Sequence, residues 1–70
     1  MRRAILEALR ARYEAEIAEA DATANIYLEN SVGIGEHPQH IEEMDKLVDK
    51  IASAEDKTKA LNKHFNNIQI

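Results

Sequence analysis

Asn30-Ser31-Val32-Gly33-Ile34-Gly35-Glu36-His37-Pro38-Gln39-His40 decides how this chain folds. It holds both glycines and the only proline, and a helix-like apolar pattern runs on either side of it. Asn30 and Gly33 are stop signals, because Asn and Gly accept the left-handed conformation that ends helices. Gly35 adds a second permissive point. His37 precedes Pro38 and is biased away from helical angles. Pro38 suits the first position of a new helix, where a missing N–H costs nothing. The stretch therefore reads as the turn of an all-α hairpin: helix at about 2–30, turn at 31–37, helix at about 38–66. Ile34 reads as a plug over the end of the bundle.

Outward toward the N-terminus, residues 2–30 lack Gly and Pro and are rich in Ala, Glu, Leu and Arg, which lose little side-chain entropy in a helix. Leu6, Leu9, Tyr13, Ile17, Ala20, Ala24 and Leu28 repeat with spacings of 3, 4, 4, 3, 4 and 4. That is an eleven-residue period, which favours a nearly straight path. A second, weaker row of Ile5, Ala8, Ala15, Ala22 and Ile26 borders it, so the apolar face is wider than one partner helix covers.

Toward the C-terminus, two heptad columns appear. One is Met44, Ile51, Thr58 and Phe65, and the other is Leu47, Ala54, Leu61 and Ile68. Ile41 and Val48 widen that seam near the turn. Glu42, Glu43 and Asp45 lie in the early turns, where negative charge suits the helix dipole. Folding at the turn brings together residues whose numbers add up to about 68. Ala20 and Ala24 then meet Met44, Leu47 and Val48, while Leu6 and Leu9 meet Leu61 and Phe65.

Seventy residues make one marginal domain, and chains this short need disulfides, a metal or partner subunits. The absence of cysteine removes disulfides and thiolate metal sites and fits a reducing compartment. Two helices cannot enclose their own seam. The expectation is a homo-oligomer, a dimer in preference to a trimer, closing as a four-helix bundle. Charge sets its direction. Residues 1–13 and 56–70 carry seven basic residues against Glu7 and Asp56, a net of +5. Residues 14–55 carry two lysines against eleven carboxylates, a net of −9. Antiparallel hairpins set the basic end of one beside the acidic end of the other.

The run from Asn30 to His37 resembles the Asn-x-x-Gly-Ile-Gly-Glu-His hinge of small proteins of T4-like marine cyanophages. The likeness extends to Met1-Arg2, Ile5 and Ala8-Leu9 at one end and to Lys63-His64-Phe65 at the other. Pro38-Gln39-His40 departs from that family, in which a small polar and an acidic residue follow the hinge. The resemblance implies a viral origin and little else.

The candidate chemistry is thin. His37, His40 and Glu43, beside Glu36, are the only residues with metal-ligand character close in sequence, and Glu-x-x-His, the di-metal signature, is absent. The favoured reading is solvated polar residues, with His37 as a helix cap and no metal or cofactor. Gly33-x-Gly35 lacks the strand and lysine of a phosphate loop. Ser31 and Ser53 have no histidine–acid pair nearby in sequence, so no enzyme is expected. The acidic balance argues against general nucleic-acid binding. Arg2, Arg3, Arg10, Arg12, Lys57, Lys59 and Lys63 at the open end supply the one surface for nucleic acid or an acidic protein. No apolar run has the length of a membrane span, and a cytoplasmic protein, in the host if viral, is the expectation. The function expected is that of a small interaction or scaffolding protein, with an unidentified protein partner beyond itself.

Overall fold

The computed structural model describes residues 1–29 and 39–65. Two helices make up these residues: α1 is Arg2–Glu29 and α2 is Gln39–Phe65. They pack against each other along their length in a rod of 51 × 16 × 15 Å. The turn residues Asn30, Gly33, Ile34, Gly35, His37 and Pro38, and Ile68 of the second seam column, lie outside the described residues.

Four cross-helix contacts show the antiparallel register. Arg10 donates to Oδ1 of Asn62 at 3.2 Å, and Lys57 Nζ stands 5.8 Å from the Tyr13 ring centroid. Lys50 Nζ meets Glu19 Oε1 at 2.9 Å, and Tyr27 meets the His40 ring edge-on at 6.3 Å. Paired residue numbers add up to between 67 and 72, bracketing the register expected from the turn. In that register Ala20 and Ala24 stand opposite the stretch Met44 to Ile51.

The side chains between the helices follow a seven-residue period on both. On α1 the central column is Leu6, Tyr13, Ala20 and Tyr27, flanked by Leu9, Glu16 and Thr23 on one side and Ile17 and Ala24 on the other; all are buried or half-buried. This differs from the eleven-residue spacing at one place. Tyr27 turns inward, and Leu28 stands 63% exposed. On α2 the columns are Met44, Ile51 and Thr58 and, beside them, His40, Leu47, Ala54 and Leu61. His40 is the residue that extends the second column by one heptad toward the turn.

The buried core is small: Leu6, Ala20, Ala24, Ala54 and Leu61. Ala20 and Ala54 are 1% exposed, so the backbones approach closely at mid-length. Two seam hydroxyls satisfy themselves locally, Thr23 on the carbonyl of Glu19 and Thr58 on that of Ala54, both at 2.9 Å. The helix ends contrast. α2 starts with Glu42 and finishes with Lys63 and His64, which suits its dipole. α1 has no acidic residue in its first turn and no basic residue in its last.

Candidate functional site

The surface features that a partner could read lie at three places on the rod. The first is an open apolar groove of about 440 Å³ at the open end, lined by Met1, Arg2, Ile5, Leu6, Leu9, Leu61 and Phe65. Leu6 and Leu61 form its floor as core residues, and Ile5 and Phe65 are exposed at its walls.

The second lies near the turn end. Leu28, Ile41 (78% exposed) and Val48 stand out from the helices. Ile41 and Val48 sit at seven-residue intervals from Asn62, and Leu28 sits five helical turns from Arg10. Since Arg10 and Asn62 bond each other, all three apolar residues occupy that one side of the hairpin.

The third is the face of α1 turned away from α2. Ala4, Ala8, Ala11, Ala15, Ala18 and Ala22 are all exposed there. Ile5 and Ile26 border them, 53% and 58% exposed. The face includes the weaker apolar row of the sequence, Ile5, Ala8, Ala15, Ala22 and Ile26, and α2 leaves it uncovered.

Of the seam positions read from sequence, the hairpin covers Leu6, Leu9, Tyr13, Ile17, Ala20, Ala24, Met44, Leu47, Ile51 and Leu61 between its own two helices. It leaves Leu28, Val48 and Phe65 exposed. The basic open end is partly engaged within the chain. Arg3 pairs with Glu7 at 3.5 Å, Arg10 bonds Asn62, and Lys57 sits on the Tyr13 ring. Arg2 lines the groove.

The Glu19–Lys50 ion pair ties the helices at mid-length. The hydrogen bond from Lys50, reinforced by its charge, holds the Glu19 carboxyl below its ordinary value of 4.5. The same bond to Glu19 raises Lys50 above 10.5. Sequence reading missed this pair; opposite charges at positions whose numbers add up to 69 were the available signal.

Among the described residues no three His, Cys, Asp or Glu side chains come together to hold a metal ion. His40 faces Tyr27 in the seam, Glu43 is paired with Lys46 at 3.4 Å, and His37 lies outside the described residues. Nor is any helix among them long and apolar enough to cross a membrane. No protein-family model, curated protein or solved structure matches this chain.

Proposed function

We propose that this chain is a small non-catalytic interaction or scaffolding protein that works as a homo-oligomer, a dimer of helical hairpins with four helices in all. The observation that carries this reading is the surface the hairpin leaves uncovered. Among the described residues, Ile5, Ile26, Leu28, Ile41 and Val48 stand exposed on it as apolar anchors.

The polarity of the rod gives the association its direction, basic open end beside the partner's acidic turn end. The hinge resemblance supports a role as a phage accessory factor that engages a host or viral protein through apolar surface left over after self-association.

Sedimentation equilibrium tests the reading. The mass should climb from 7.9 kDa toward twice that value as concentration rises, with the melting temperature rising in parallel. A constant monomer mass with a concentration-independent melt overturns it.

A further inference from the structure

The outer face of α1 has an order that size and charge explain together. Read at seven-residue spacing along its edge, it gives Ile5, Arg12, Glu19 and Ile26, all exposed. Reversed, the column reads Ile, Glu, Arg, Ile. An antiparallel second copy therefore sets Ile5 against Ile26 and Arg12 against Glu19, every pair complementary, at positions whose numbers add up to 31. A parallel copy sets arginine on arginine and glutamate on glutamate.

The neighbouring column, Ala8, Ala15 and Ala22, keeps that register to within one residue. Numbers adding up to 30 place Ala15 on the two-fold axis and Ala8 against Ala22, and side chains this small allow the backbones to approach.

We propose that this face is a self-complementary docking surface for a second copy of the chain, α1 packed antiparallel on α1 about an axis at Ala15. The proposal rests on the oligomeric reading above and adds its face, direction and register. Arg12 makes no ion pair with any described residue. Glu19 uses Oε1 for Lys50, which leaves Oε2 for the second copy's Arg12. The resulting order is α2, α1, α1, α2, with both α1 helices central. The Leu28, Ile41 and Val48 patch lies on the Arg10–Asn62 side, away from the Glu19 edge, and stays open.

Charge reversal tests the register. Arg12→Glu sets a carboxylate against the carboxylate of Glu19 twice in each dimer. Glu19→Arg sets a guanidinium against the guanidinium of Arg12, again twice. Each variant should keep its helical circular dichroism and dissociate at least about tenfold more readily than the wild type by sedimentation. Mixed in equal amounts, the two variants should regain the dimer mass, because every contact in the mixed dimer is again carboxylate on guanidinium. Lys50→Gln, which breaks only the in-chain tie of Glu19, should keep the dimer. Ala15→Glu, an exposed substitution outside the hairpin seam, should give a folded monomer. A dimeric wild type whose mass neither reversal nor Ala15→Glu disturbs overturns this face and register while leaving self-association standing. A monomeric wild type overturns both.

Discussion

At Glu19 and Lys50, one hydrogen bond at 2.9 Å moves two titrations in opposite directions. The Glu19 carboxyl is depressed, so its contribution to the hairpin is complete above 4.5 and is lost as the pH falls through the folded value. Lys50 is raised, so its contribution is complete below 10.5 and is lost as the pH climbs through the folded value. Both side chains are exposed, and the effect in water is small. Lys50→Gln should therefore reduce the acid-side loss of melting temperature below 4.5 without changing the fold. An identical acid limb in the variant would show that the pair adds nothing. Alanines give a second contrast at this scale. Ala20→Leu forces a bulky side chain into a seam position that is 1% exposed and should cost about 1–3 kcal/mol by chemical denaturation. Ala18→Leu, on the exposed face, should change the hairpin's own stability by less than about 0.5 kcal/mol.

At the scale of the element, the two helices differ in how openly they declare their faces. α2 carries Met44, Leu47, Ile51 and Leu61 at heptad spacing against a polar background, and the structure places all four between the helices. α1 is rich in alanine, and an alanine adds so little apolar area that a seam column and an outer column look alike in sequence. The eleven-residue reading drifts from one to the other and arrives at Leu28 where the helix turns Tyr27 inward. Tyr27→Ala should accordingly cost about 2 kcal/mol, roughly half the loss of a fully buried aromatic. Leu28→Ala should cost less than about 0.5 kcal/mol in the hairpin itself. Equal losses in denaturant melts would remove the heptad description of α1. His40 was hidden for a related reason: its polar ring masks a position that continues the column of Leu47, Ala54 and Leu61 by one heptad.

For the whole molecule, seven of the nine basic residues belong to the open end and eleven of the thirteen carboxylates to the rest of the sequence. Charge pairing between antiparallel copies is screened by salt over a Debye length of about 8–10 Å at physiological ionic strength. Raising sodium chloride from about 0.05 to about 0.5 M should weaken self-association severalfold by sedimentation, while helicity, which rests on the seam, stays constant. Tighter association at high salt would assign the interface to apolar burial alone, with Leu28, Ile41 and Val48 as its candidate residues.

Composition and period alone determined that the described residues are helical and that the two helices run antiparallel in a register near 68. Each of these follows from local propensity or from the geometry of one reversal. The tertiary structure decided that Tyr27 and not Leu28 turns into the seam, and it brought Glu19 to Lys50 and Arg10 to Asn62. Those outcomes depend on how closely Ala20 and Ala54 let the backbones come, and close packing between distant residues leaves no periodic trace in sequence.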